Sequence, residues 1–139
     1  WRCRKMSEKI KYGGCLCGKI RYQIEGDPFD SDYCHCRICQ RQTGAPVSAW
    51  MDFKKEQIKL LDGNVKEFES SKNVRRGFCE NCGSTLSFRD IMHPDYLTLS
   101  ITSLDDPNTF SPNYHIYIDS AIKWHNIVDE YPKYQKNRT

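Results

Sequence analysis

No apolar run in these 139 residues approaches the roughly 20 that a membrane-crossing helix needs. No membrane partner is therefore expected. No hydrophobic signal segment is visible at the N-terminus, so a cytoplasmic or nuclear compartment is expected. Charge of either sign is in short excess: 21 basic against 18 acidic side chains leave +3, with a pI near 8.4. A dedicated nucleic-acid binder carries a strong basic stripe, so nucleic acid is not expected as the main partner. The small positive balance still favours the approach of an anionic small substrate. There is no internal repeat, no low-complexity tract and no obvious domain boundary. With 38% apolar and 28% charged residues, the chain suits one ordinary soluble domain with a real core.

Cysteine, by contrast, is abundant. Of eight cysteines, seven fall in tight clusters: Cys15 with Cys17, Cys34 with Cys36 and Cys39, and Cys79 with Cys82. Without a secretory segment, such short loops suit metal chelation better than disulfides. The stretch Cys34-His35-Cys36-Arg37-Ile38-Cys39 holds three of them within six residues. Zinc accepts thiolates readily and usually takes four ligands. Three sulfurs therefore leave a position open, which is what separates a working zinc from a structural one. The competing reading closes that position with a fourth protein ligand, Cys3 or a distant histidine.

The rest of the chain reads as short strands separated by turn residues, hence mostly β. Residues 1–9 are read as an N-terminal extension; Met6 suits a native start, and a vector origin is one reading of residues 1–5. Gly13-Gly14 and Gly18 flank the first cysteine pair as a metal corner. Strands are expected at 19–24, 47–53, 58–61, 65–69, 85–89, 96–101 and 114–118. Residues 40–46 form a polar turn or short helix stopped by Gly44 and Pro46. Residues 124–127 are expected to pack on the body, and 129–139 to fray. One domain spans 10–134, with a tail at 135–139.

Seven clustered cysteines divide naturally into four plus three. Cys15, Cys17, Cys79 and Cys82 would form a closed site that staples two distant segments and contributes directly to folding. A second pairing, Cys79 and Cys82 with Cys36 and Cys39 in one zinc ribbon, is not excluded by the spacing.

Three motifs in order carry a resemblance: Gly13-Gly14-Cys15-Leu16-Cys17-Gly18, Cys34 to Ala45, and Phe78-Cys79-Glu80-Asn81-Cys82-Gly83-Ser84. Together with His115-Ile116, Trp124 and Asp129 they resemble the glutathione-dependent formaldehyde-activating enzymes. That family includes the S-(hydroxymethyl)glutathione synthases and resembles centromere protein V. The resemblance covers roughly residues 10 to 134. It implies an Mss4-like folded β-sheet, or β-tent, with zinc-binding cysteine knuckles. It implies two zinc ions per chain, the second labile: a structural one at Cys15, Cys17, Cys79 and Cys82, and a catalytic one at Cys34, Cys36 and Cys39. The implied activity is a carbon–sulfur lyase handling a thiol–aldehyde adduct, with glutathione and formaldehyde as the type substrates. The chemistry is consistent with this. Three thiolates blunt zinc's Lewis acidity but leave it able to hold another soft ligand beside a carbonyl.

Further site candidates are weaker. Arg37, Arg41, Lys72, Arg75 and Arg76 are candidate partners for substrate carboxylates, against the reading of a solvated surface. Arg41, Thr43 and Arg75 are carried forward as substrate-binding residues, although Thr43 would equally cap its own turn. His35 is expected to point away from the metal. His115 and His125 are candidate acids or bases, against the reading of satisfied histidines. Trp50, Phe53, Phe78 and Phe88 are read as core. The alternative function is a non-catalytic zinc-binding interaction module of the centromere protein V type. A pure binding module needs only the four-cysteine staple. A third reading is redox sensing at Cys34 to Cys39.

Overall fold

A computed structural model describes residues 9–138. The expectations for Cys3 and residues 1–6 lie outside the described residues. The strands are β1 (Ile10–Gly14), β2 (Arg21–Glu25), β3 (Asp30–Cys34), β4 (Ser48–Lys54), β5 (Ile58–Asp62), β6 (Lys66–Ser71), β7 (Val74–Phe78), β8 (Thr85–Asp90), β9 (Tyr96–Ser100) and β10 (His115–Ile116). One helix, α1 (Arg37–Thr43), follows β3. The result is the mostly β folded sheet that the sequence implied. A three-stranded sheet has order β1-β2-β5, and a seven-stranded sheet has order β10-β3-β4-β9-β8-β7-β6.

Side chains alternate between the two faces of a strand, so register decides what each face carries. On the inner face of the large sheet, Met51, Phe53, Leu97 and Leu99 pack on Tyr22 and Ile24 of the small one, with Ile101 and Leu104. Phe53, Met51 and Ile24 are fully buried, each contributing about 1.5–3 kcal/mol relative to exposure. The close approach of β1 to Tyr22 requires Gly13: a Cβ there would collide with the phenol and with the Ser103 carbonyl.

The outer face carries a different set. Asp30, Asp52, Thr98, Phe88 and Arg76 stand opposite one another, strand by strand, in a single row from β3 to β7. The next row pairs Asp32 with Trp50, and the next pairs Cys34 with Ser48. This face is the floor of a cleft of about 800 Å³.

Three expectations need correction. The last strand is shorter than 114–118, because Tyr117 adopts φ +57°, a left-handed conformation that ends an extended run. Residues 129–138 do not fray. The His115 N–H donates to the Pro132 carbonyl at 2.8 Å, the Tyr134 N–H to His115 O at 2.9 Å, and the Tyr117 N–H to Lys136 O at 2.9 Å. The tail is thus laid along β10 and continued past it, and Lys136 pairs with Asp119. Trp124 does not pack; it is 76% exposed.

Candidate metal centres and active-site cleft

Two groups of sulfurs come together, and they divide four plus three. Sγ atoms of Cys15, Cys17, Cys79 and Cys82 all lie within 4.8 Å of one another, as do those of Cys34, Cys36 and Cys39. The ribbon pairing that spacing alone left open is not the one formed. Tetrahedral zinc with Zn–S near 2.3 Å would hold sulfurs about 3.8 Å apart. Cys15 and Cys17 are 3.6 Å apart, Cys17 and Cys79 3.8 Å, and Cys34 and Cys39 3.5 Å. Both donor sets therefore fit the ion by distance and by softness.

The four-cysteine group joins the turn after β1 to the turn after β7. Ile20 N–H donates to Cys15 Sγ at 3.3 Å. The Ser84 hydroxyl, 3.2 Å from Cys82, holds that thiol down to about 5. Leu16 N–H donates to the same hydroxyl at 2.9 Å. Backbone and hydroxyl donors thus surround the group, as thiolates require.

The three-cysteine group is assembled by one strand end and one helix start. Cys34 ends β3. Cys36 caps α1, accepting the Cys39 N–H at 3.2 Å, and Gly44 closes the helix at φ +72° with its N–H on the Gln40 carbonyl. Cys34 and Cys39 are buried and Cys36 is half-buried. Trp50 is buried against them, with Phe88, Ile116 and Tyr117 packed alongside. Hydrogen bonding from Cys34 and Cys36 holds the Cys39 thiol far below its usual range, and the Arg76 charge adds to the effect. The Arg76 guanidinium lies 3.4 and 3.5 Å from Cys39 Sγ. It is buried, held also by Ser70 and Gln42.

His35 points away from the cysteines, as extended geometry requires, and into a buried chain. Its Nε2 lies 2.9 Å from His115 Nδ1, and His115 Nε2 lies 2.9 and 3.1 Å from the Asp129 carboxylate. The carboxylate takes the N–H of His115 Nε2, which leaves Nδ1 to accept from His35. Burial keeps His35 neutral, lowering it to about 4. The Gln40 amide donates to the His35 carbonyl at 2.8 Å. His35 and its peptide are thereby fixed between two of the cluster's sulfurs. His115 is a partner in this chain, whereas His125 is exposed.

The structure does not bring the three substrate-binding candidates to the cleft. Arg41 is exposed. The Thr43 hydroxyl bonds its own helix at the Cys39 carbonyl, 2.7 Å away, and lines a separate hollow. Arg75 lies 3.3 Å from Glu69 and donates to the carbonyls of Lys72 and Val74. Strand alternation explains the exchange: Arg75 and Arg76 point to opposite faces, and Arg76 has the cleft side. Trp50 and Phe88, read as core, line the cleft, while Phe53 is core.

Sequence reasoning missed the cleft's far end. Asp30, Asp32 and Asp52 line it. Tyr114 Oη donates to Asp30 at 2.7 Å, and the Thr98 hydroxyl donates to Asp52 at 2.6 Å. Burial is the main cause that pushes Asp32 up to about 8 and Asp52 up to about 6, reinforced by neighbouring carboxylates. The available signal was Asp30-x-Asp32-x-Cys34, a period-two pattern that places both carboxylates on the face of the cysteine.

A folded β-sheet with a four-cysteine knuckle and a three-cysteine cluster opening on a cleft defines a class, β proteins whose grouped thiols fit metal ions and whose second thiol site is reachable. Residues 10–120 match the glutathione-dependent formaldehyde-activating enzymes, and the chain belongs to that family. It is 33% identical over 76 residues to a Schizosaccharomyces pombe protein described as an uncharacterized lyase, a match covering 55% of each chain. The chain thus spans about half the length of that curated relative. A crystal structure of a Rhodobacter sphaeroides protein superposes with TM-score 0.58 at 19% identity, over 73% of this chain and 97% of that one. It shares the fold. Among the described residues no helix is long and apolar enough to cross a membrane.

Proposed function

We propose that this protein is a zinc-dependent carbon–sulfur lyase that makes or cleaves the adduct of a small thiol and a small aldehyde. The observation that carries this reading is the three-cysteine cluster opening on the cleft. Family membership and the lyase description of the yeast relative support it.

Cys15, Cys17, Cys79 and Cys82 would hold a structural zinc, and Cys34, Cys36 and Cys39 a catalytic one. When bound there, zinc supplies a soft Lewis acid with one position left for substrate. The chain's own residues do the rest. Arg76 sets a positive charge against an otherwise thiolate-rich site. Trp50 and Phe88 keep water from one wall. The His35–His115–Asp129 chain holds the Cys34–Cys36 turn in place. In the forward direction a sulfur–carbon bond forms, the carbonyl π electrons move to oxygen, and that oxygen takes the proton lost by the thiol. The reverse breaks the carbon–sulfur bond and returns thiol and aldehyde.

The test is exchange spectroscopy on ¹³C-formaldehyde and glutathione with the zinc-loaded protein. Exchange between free and thiol-bound formaldehyde is expected to accelerate, and Cys36→Ser to abolish the acceleration. Exchange at the uncatalysed rate with every thiol offered would overturn the reading.

A further inference from the structure

Among the described residues, Tyr117 is the one non-glycine residue with a left-handed backbone, at φ +57° and ψ +41°. A residue with a Cβ meets a steric cost there, so the conformation persists only where its surroundings impose it. Here the tail and the following turn impose it. The Tyr117 N–H donates to the Lys136 carbonyl at 2.9 Å, and the Tyr117 carbonyl accepts the Ser120 N–H at 3.1 Å. The conformation decides where the side chain goes. Ile116 pairs with Cys34 and lines the cleft. In an extended strand the next side chain would point to the opposite face. The turn at Tyr117 brings it to the same side instead: it too lines the cleft, and it packs with Ile116 on the cysteines.

The groups around the sulfurs leave this phenol as the free donor. In a thiol–aldehyde adduct the oxygen lies two bonds from the sulfur. With the sulfur at the cysteine cluster, that oxygen falls among the groups packed on it: Trp50, Phe88, Ile116 and Tyr117, with Arg76 at Cys39. An oxygen that gathers charge is stabilised by an N–H or O–H already in place. Phe88 and Ile116 have none in their side chains. The Trp50 N–H goes to Ser48 Oγ at 2.7 Å, and the Arg76 guanidinium is directed to Cys39, Ser70 and Gln42. Tyr117 Oη has no hydrogen-bond partner among the described residues, and a phenol carries its proton at neutral pH. Farther along the cleft, the Tyr114 and Thr98 hydroxyls are given to Asp30 and Asp52. Tyr96 pairs with Lys54, six positions along β4 from the Ser48 that faces Cys34, a distance of about 20 Å at strand rise.

We propose that Tyr117 is a catalytic residue, whose hydroxyl donates a hydrogen bond to the oxygen of the adduct while the carbon–sulfur bond forms or breaks. The inference rests on the thiol–aldehyde reading above and adds a residue to it. As the thiol sulfur bonds to carbon, the carbonyl π electrons move to oxygen. Tyr117 holds that oxygen until it takes the proton lost by the thiol. In reverse the oxygen releases that proton, the carbonyl re-forms, and the sulfur leaves with the bonding pair and regains the proton. Tyr117 keeps its own proton in both directions.

Tyr117→Phe tests this, because it keeps the ring and its packing and removes one hydroxyl. Formaldehyde exchange is followed with the zinc-loaded full chain and three thiols: glutathione, N-acetylcysteine and 2-mercaptoethanol. With the thiol that the wild type uses best, kcat is expected to fall about a hundredfold in Tyr117→Phe, with KM little changed. Zinc content and melting temperature are expected to stay at wild-type values, which a merely structural role would not allow. An undiminished kcat, or a loss of zinc in step with kcat, would overturn the assignment and leave the lyase reading intact. Wild-type exchange at the uncatalysed rate with all three thiols would count against the lyase reading itself, and against this assignment with it.

Calorimetric titration reads the same contact without turnover. S-(2-hydroxyethyl)glutathione carries a hydroxyl one carbon beyond that of the adduct, and S-ethylglutathione lacks it. The wild type is expected to bind the hydroxyl form about two- to tenfold more tightly, and Tyr117→Phe to bind the two alike. A hydroxyl preference that survives in Tyr117→Phe would assign the oxygen to another donor and overturn the proposal.

Discussion

The two cysteine clusters set the same side chain in different surroundings. In the four-cysteine group, ligands from the turns after β1 and β7 complete the donor set by themselves. Its surroundings are Ile20, Leu86 and Val65 on the buried side and short-range N–H and hydroxyl donors around the sulfurs. In the three-cysteine group the described residues supply three sulfurs and no fourth donor. A buried guanidinium stands on one side and an open cleft on the other. Thiolate count alone does not separate a staple from a reaction site. What else comes within reach of the sulfurs does.

The sharpest way to break this comparison is to remove one sulfur from each group. Cys79→Ser is expected to prevent stable folding, because a structural zinc contributes on the order of 10 kcal/mol in small domains. Circular dichroism and zinc content of the purified protein check this. Cys36→Ser is expected to fold, to carry one equivalent of zinc fewer, and to lose about a hundredfold or more in turnover. If both variants unfold alike, the division of labour is wrong. A graded chelator sharpens the same point: metal is expected to leave the three-cysteine site first, at little cost in helicity or melting temperature.

Arg76→Gln is the next largest effect. Losing a charge-assisted contact to Cys39 costs about 1.5–3 kcal/mol, read as weaker metal retention at the open site in a chelator competition. The four-cysteine site should not respond. His115→Ala leaves the buried His35 N–H without its acceptor, costing about 1–3 kcal/mol; Asp129 keeps the Tyr131 N–H and Lys133. Thermal melting and metal retention at the open site are expected to fall together.

The smallest effect is a gain. Asp52 is held up at about 6, against an ordinary value near 3.9 when unfolded. Between those values the folded state keeps a proton that the unfolded state has released, so stability falls as pH rises through the window and is flat above it. Asp52→Asn, which still accepts from Thr98, is expected to stabilise the protein at pH 7 by up to about 3 kcal/mol. The gain should vanish near pH 4. Melting curves from pH 4 to 8 check the sign. A residue whose removal stabilises the fold is one kept for another reason.

Much of this was legible in the sequence because cysteine spacing and period-two alternation are local signals. β4, β5, β6, β8 and β9 lie within a residue or two of their expected bounds. The four-plus-three division was implied by resemblance and left open by spacing, since only the fold brings Cys79 to Cys17. The acidic end of the cleft went unread because its members come from β3, β4 and the segment before β10, and register alone aligns them. The tail misled for a related reason. Its polar composition signals solvent, but its backbone N–H and C=O groups pair with residues 115–119, and pairing of that kind leaves no mark on composition. Arg75 was preferred over Arg76 because adjacent residues on a strand look equivalent until one face is known to be the cleft.

The large sheet also separates two inheritances. Met51, Phe53, Leu97 and Leu99 answer to the core, while Asp52, Thr98, Phe88 and Arg76, their neighbours in sequence, answer to the cleft. A change at one set leaves the other in place. Descendants of such a chain can trade one cleft ligand for another by altering single outward positions, without renegotiating the fold. An architecture divided in this way is suited to diversify.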